Sequence, residues 1–352
     1  MVTERQSRNL DVLRAFAVGT VFFGHALLVI MARPSNLIGS AARFGVMAFF
    51  VHTALVLMQS LERLDGEGSG YVAARFYIRR LFRIYPLSIL CVLIVVAFHI
   101  PQLPWRSVVA PTAPVVASNL LLVQNLTGAH SVSSPLWSLP FEVQMYLVLP
   151  LCYFAWKKWA INPLWLAAIA ALACVPFLPL MLTDTLRYFP CFLVGVAAYQ
   201  FSRNRQGRYP AALLFVLLLV TCALYTFGRA YILNRPNPGL YSVYASDWLC
   251  SLAIGLTLPY LREIPEGWVS QAAHQIAKYS YGIYLSHIPI MWVVRVVMGG
   301  KPIALRLVVF VVAAVVVPML AFHLLEAPGI QLGKRLSNRL RRSPGMAISQ
   351  AA

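Results

Sequence analysis

Apolar runs of about 20 residues, each long enough to cross a bilayer as a helix, alternate with short polar stretches along almost the whole chain. Ten such runs can be placed, near residues 10–32, 39–61, 81–100, 139–159, 163–182, 186–202, 209–228, 243–261, 277–298 and 303–326. The pattern predicts an all-α, polytopic integral membrane protein of about ten transmembrane helices. An even number puts both termini on one side of the membrane. With the N-terminus cytoplasmic, 20 of the 29 Lys and Arg residues fall on the inner side, so the positive-inside rule predicts an N-in, C-in chain. The longest mixed stretch, HIPQLPWRSVVAPTAPVVASNLLLVQNLTGAHSVSSPLW, is broken by Pro101, Pro104, Pro111, Pro114 and Pro135 and is expected to form an external cap or re-entrant loop.

Composition agrees: 60% hydrophobic residues, a mean hydropathy of +0.72 and only 11% charged residues lie far from soluble averages. A net charge of +18 raises the question of nucleic acid, but the charges sit at segment ends, where topology accounts for them, and no nucleic-acid partner is expected. Cys91, Cys152, Cys174, Cys191, Cys222 and Cys250 lie inside apolar runs without CxxC spacing, as reduced packing residues do, and no metal site is expected. The polar N-terminus leads straight into a span carrying Arg14, unlike a cleaved signal peptide. Residues 1–332 read as one transmembrane domain and 333–352 as a basic, disordered cytoplasmic tail, with no soluble catalytic domain attached.

Ionisable residues inside spans are the candidates for chemistry, because each is costly in hydrocarbon unless partnered. Arg14 and His25 lie eleven residues apart, about three turns and roughly 16 Å along one face of the first helix, with Asp11 on the same side. Such a stripe suits an elongated anion. Arg75, Arg79, Arg80 and Arg83 at the start of the third run make a dense cationic group that fits phosphate, although head-group binding and topology control explain it too. Glu142 is the only acid of the fourth run, placed near the outer surface and one turn before Tyr146. The ninth run carries Tyr281, Tyr284, Ser286 and His287, a substrate contact or an interhelical hydrogen-bond cluster, with Pro289 expected to loosen the helix. His52, at a depth comparable to His25, is a second candidate base. Glu326 lies at the membrane level of Arg14 and is expected to pair with it, and His323 reads as interfacial.

As a set, RNLDVLRAFAVGTVFFGHA, GVMAFFV, RRLFRIYP, PLWSLPFEVQMYLVLPL, YSYGIYLSHIPI and HLLEAP resemble, in order, the signature segments of the membrane-bound acyltransferase 3 family. The resemblance implies ten helices and the transfer of an acyl group, usually acetyl, from acyl-CoA to a hydroxyl of an extracytoplasmic glycan, a lipid-linked sugar or a small metabolite. It makes His25 the catalytic histidine and gives Arg14, Arg80 and Arg83 to CoA binding or active-site support; Glu142 or another acid would orient the imidazole or the acceptor. Asp11, His52, Tyr146, Tyr284, His287 and Glu326 are supporting or acceptor candidates. One departure stands out, since FFVHTALVL puts His52 and Thr53 where many relatives carry small or apolar residues. The resemblance also implies the inner membrane as location, acyl-CoA as donor substrate with no permanently bound cofactor, a carbohydrate or glycolipid acceptor, and glycan-assembly proteins as partners. The competing reading from the residues alone is a transporter or flippase for a lipid-linked sugar, because polar groups in spans also build substrate pathways.

Overall fold

The computed structural model describes residues 7–31, 34–65, 69–104, 110–174, 184–204 and 207–340. Those residues are helical almost throughout and form no strand. The helices are α1 (Arg8–Met31), α2 (Asn36–Leu64), α3 (Ser69–Ala97), α4 (Ala113–Leu120), α5 (Gln124–Thr127), α6 (Leu139–Trp159), α7 (Pro163–Cys174), α8 (Asp184–Asn204), α9 (Leu213–Leu233), α10 (Leu240–Thr257), α11 (Trp268–Trp292), α12 (Ile303–Ala321) and α13 (Ala327–Arg339). Each of the ten apolar runs overlaps a helix, but six segments among the described residues are long and apolar enough by themselves to cross a membrane: Arg8–Met31, Asn36–Leu64, Ser69–Ala97, Ser134–Trp159, Leu213–Leu233 and Ile303–Arg339. The run at 163–182 is seen as α7 to Cys174, and its remainder lies outside the described residues, as do Arg5, Arg33, Arg106, Arg205 and residues 341–352 of the tail.

Helix α2 is the centre of the bundle. It packs against α1, α3, α6, α8, α9 and α10, and 78% of its most apolar stretch is buried, whereas α12 at the periphery buries 6%. Glycine lets neighbours approach α2 closely: a Cβ at Gly45 would strike the Ala17 carbonyl of α1, and one on Gly195 of α8 would strike the Val51 carbonyl. The outward faces are apolar, as on α9 (Val220, Leu224, Phe227) and α12 (Leu307, Val308, Val311, Val315), where lipid rather than water satisfies them. Several polar side chains on α8, α10 and α11 turn inward instead, among them Arg187, Asp247, Ser251, Ser280 and His287.

The stretch expected as an external cap or re-entrant loop turns part of its length inward, with Leu122, Gln124, Ser133 and Leu136 buried. Its last turn, a 3₁₀ turn at Ser134–Trp137, runs straight into α6. Pro289 does not break α11. The helix continues to Trp292 and passes into a π turn at Val293–Val297, and the same sequence of proline then π turn recurs at Pro318 and Phe322–Glu326. The extra residue in the second π turn rotates the chain, so that Glu326 points into the protein although most of α12 faces outward.

The proposed domain limit at residue 332 needs correction in its first part, because α13 runs on to Arg339. Gly329, Gly333 and Ser337 recur every four residues and form the buried face of α13. Cβ atoms at the two glycines would come within 2.7 Å and 2.8 Å of Phe82 of α3, so small residues are what allow α13 to lie on α3. Cys91, Cys152, Cys191, Cys222 and Cys250 are free thiols; the Cys174 side chain is outside the description.

Candidate active site

Two cavities meet inside the bundle, back to back, and both are lined by Val46 and Tyr284. The first, of about 100 Å³, collects Arg14 from α1, His52 and Thr53 from α2, Arg80 and Arg83 from α3, Glu142 and Tyr146 from α6, and Ser280, Tyr281 and Tyr284 from α11. Glu142 is the only carboxylate lining it among the described residues, against three guanidinium groups. Each arginine is held in place. Arg14 Nε donates to Ser280 Oγ at 2.6 Å, which in turn donates to the Ala277 carbonyl. Arg80 Nη2 donates to Ser60 Oγ at 2.9 Å, and its guanidinium lies over the Phe76 ring. Arg83 Nη1 is 3.0 Å from Glu326 Oε2, an ion pair without hydrogen-bond alignment.

That last contact corrects one expectation. Glu326 pairs with Arg83, not with Arg14, because the π turn delivers it to α3 rather than to α1. Asp11 is also placed differently: its Oδ2 is 2.8 Å from His274 Nδ1, so it closes the α1–α11 contact instead of extending the Arg14 stripe. The four arginines of α3 divide into two pairs. Arg79 donates to Ser337 and Asn338 of α13, and Arg75 to Asn338, while Arg80 and Arg83 turn into the cavity. His323, at the outer edge, meets Tyr279.

Glu142 does not lie beside His25. The re-entrant segment brings the start of α6 into the bundle, and there Glu142 Oε1 accepts from Tyr146 OH at 2.7 Å within the field of Arg14, Arg80 and Arg83. His52 belongs to this arginine cavity as well, with Thr53. The two residues by which the second run departs from the family pattern therefore face the guanidinium groups, not the chamber that holds His25.

His25 lines the second cavity, of about 240 Å³, together with Arg43, Trp137, Arg229 and the first turns of α2. Its Nδ1 is 2.9 Å from the Val21 carbonyl. A carbonyl only accepts, so the proton of a neutral imidazole sits on Nδ1 and the Nε2 lone pair is left for chemistry. His287 has the same arrangement, its Nδ1 2.7 Å from the Tyr284 carbonyl and its buried Nε2 without a partner. The two rings lie 4.9 Å apart. With both Nδ1 atoms protonated, neither Nε2 can donate to the other, and a hydroxyl entering between them would find two acceptors. Between the cavities stands Tyr284, whose hydroxyl shares a 2.7 Å hydrogen bond with Ser138 Oγ. Tyr281 hydrogen-bonds the Ile84 carbonyl and ties α11 to α3, while Ser286 lines an apolar groove elsewhere, between α3, α11 and α12.

A family model described as an acyltransferase domain matches residues 7–323, nearly the whole chain. The chain belongs to the acyltransferase 3 family. It is an acyltransferase, which removes the transporter reading, and a multi-pass membrane protein. Among curated relatives it is 27% identical to acyltransferase MdmB of Streptomyces mycarofaciens over 73% of this chain and 70% of that one. It is 25% identical to nodulation protein 10 of Rhizobium leguminosarum bv. viciae over 94% and 95% of the two chains. Against the peptidoglycan O-acetyltransferase OatA of Listeria monocytogenes the identity is 24%, over 93% of this chain and 57% of the relative. No solved structure matches.

Sequence reasoning missed Arg43 and Trp137, which line the second cavity, Asp247, which lies behind it, and Ser138, which lines the first. Arg43 and Asp247 both fall inside apolar runs, where an ionisable side chain is itself the signal. Trp137 and Ser138, flanking the re-entrant turn, carried no such mark.

Proposed function

We propose that this acyltransferase moves an acetyl group from acetyl-CoA to a hydroxyl of an extracytoplasmic or lipid-linked carbohydrate, in the inner membrane and with both termini cytoplasmic. The observation that carries the reading is the pair of cavities, one cationic and one holding His25, that share Tyr284 as a wall. Three guanidiniums against one lining carboxylate suit an anionic donor, and planar forks suit its phosphates. A cavity of about 100 Å³ is of a size for the acyl-thioester end of CoA, and the nucleotide would then lie outside it. Arg14, Arg80 and Arg83 would hold and neutralise the donor, and the OatA name supplies the precedent for acetyl and for a glycan.

On the other side of the wall His25 acts as general base. Its Nε2 takes the proton of the acceptor hydroxyl as that oxygen attacks the thioester carbonyl carbon; the adduct then collapses with cleavage of the C–S bond, and the departing thiolate takes the proton back from the imidazolium. His287, beside it and likewise an acceptor at Nε2, takes a hydrogen bond from a neighbouring hydroxyl of the same sugar and so orients the one that attacks. Direct transfer requires the Tyr284–Ser138 contact to open. The separation of the cavities equally favours a relay in which a protein residue carries the acyl group across, and Glu142 serves the donor side in either route.

The test is transfer of radiolabelled acetyl from acetyl-CoA into the glycans and lipids of membranes carrying either the native chain or His25→Ala. Label should disappear with His25→Ala and its acceptor be recoverable from native membranes. Unchanged labelling by a folded His25→Ala protein would remove His25 from the reaction.

A further inference from the structure

The chamber around His25 carries an excess of positive charge that the transfer chemistry does not require. Arg43 of α2 and Arg229 of α9 both line it, and no carboxylate does among the described residues. Behind them lies Asp247 of α10, fully buried. Its Oδ2 is 3.4 Å from Arg43 and its Oδ1 3.6 Å from Arg229, and Oδ1 also accepts from Tyr225 OH at 2.6 Å. One carboxylate thus serves two guanidiniums. A purely structural tie between α2, α9 and α10 would be neutral, since an uncompensated charge inside a membrane bundle is costly.

Three further features point to a ligand of opposite charge. The Arg43 guanidinium is stacked on Trp137, 4.7 Å from the ring centroid, and also bonds Tyr188, so its position is set in advance. Its side chain is nevertheless 22% exposed, toward the cavity. The hydroxyl of Ser40, itself buried, lines the same cavity and has no hydrogen-bond partner. Finally, the cavity is walled by the first turns of α2, at Ser35, Asn36 and Gly39, and the N-terminus of a 29-residue helix adds partial positive charge.

We propose that this chamber is the acceptor subsite and that it selects a sugar bearing a carboxylate or phosphate beside the hydroxyl presented to His25. Arg43 and Ser40 contact the anion, and Arg229 supplies field from behind. A volume of about 240 Å³ is below that of drug-sized sites and suits one sugar ring at a time. The assignment rests on the transferase reading above, which makes this the side where the acceptor enters.

The experiment is calorimetric binding to the full chain in lipid nanodiscs, with methyl glucuronide, glucose 1-phosphate and methyl glucoside as probes and acetyl-CoA as an independent check on the fold. The native protein should bind at least one anionic probe about tenfold or more tighter than the neutral glucoside. Arg43→Gln should abolish that preference and Arg43→Lys keep part of it, with acetyl-CoA affinity unchanged. If Arg43→Gln does not fold, Ser40→Ala should still weaken the anionic probes alone. Preference for the glucuronide identifies a uronic acid, and preference for the phosphate a phosphorylated or lipid-linked sugar. Binding of all three probes alike, binding of none, or an intact preference in the folded variants overturns the proposal. Failure of the transferase reading would look different: charge-selective binding would persist while His25→Ala labelled membranes as well as the native chain.

Discussion

His25 and His287 sit on different helices, each with Nδ1 committed to a backbone carbonyl and Nε2 free. If His287 orients the acceptor by taking a hydrogen bond from a hydroxyl next to the attacking one, His287→Gln should lower kcat about tenfold or more with little change in acetyl-CoA affinity, a split measurable by steady-state kinetics with direct donor binding. Loss of donor affinity in equal measure would make His287 a packing residue. Arg80 gives the opposite split. Arg80→Ala removes a guanidinium from the first cavity and should weaken acetyl-CoA binding about tenfold, while His25→Ala should leave it intact. The Arg83–Glu326 pair is a matter of stability: removing Arg83 strands a buried carboxylate, so Arg83→Ala should cost about 3–5 kcal/mol in reversible unfolding, and Glu326→Gln less. At this scale the sequence marked the ionisable residues that the fold gathers around the two cavities. Arg14, His25, Arg80, Arg83 and Glu142 were all visible as charges where hydrocarbon should be. Their partners were not, because the Glu326 pairing depends on a one-residue π insertion that hydropathy does not register.

Among the elements, each apolar run falls on a helix, nine of them of 18 residues or more and α7 of 12 among the described residues, with ends misplaced where polar residues continue a helix beyond its apolar part. Helix α3 starts at Ser69, well before the run at 81, because its arginine-bearing first turns are covered by α13. Helix α11 likewise starts at Trp268 rather than at 277. The spacing of Gly329, Gly333 and Ser337 was legible as a close-packing stripe, yet its high content of Lys and Arg made the segment read as tail. Gly333→Leu should force α13 off α3 and destabilise the protein by about 1–3 kcal/mol, measured as a lowered melting temperature in detergent. An unaltered melting temperature would mean that α13 is held by Arg75 and Arg79 alone.

For the whole molecule the decisive element is the wall at Val46 and Tyr284 between a cationic chamber and a histidine chamber. Opening it by Tyr284→Ala should let water from one chamber reach a thioester held in the other, so acetyl-CoA hydrolysis should rise while transfer falls, followed as free thiol released without acceptor. Unchanged hydrolysis would show that the two chambers are separated by more than this side chain. The N-in, C-in arrangement is checked at the same scale by reporter fusions after Arg339, which should be active only in the cytoplasm.

The sequence by itself determined that the chain is a helical membrane protein, roughly where its helices run, and which ionisable residues lie among them. Those are local properties: hydrophobic length fixes a span, and a charge inside it must be partnered somewhere. Only the tertiary structure decided where. It split four neighbouring arginines between α13 and a cavity, put Glu142 with the arginines and not with His25, and joined Arg43, Arg229 and Asp247 from three helices. Such pairings are set by how helices rotate and cross, through glycine contacts, a re-entrant turn and two π turns, and no single span carries that information.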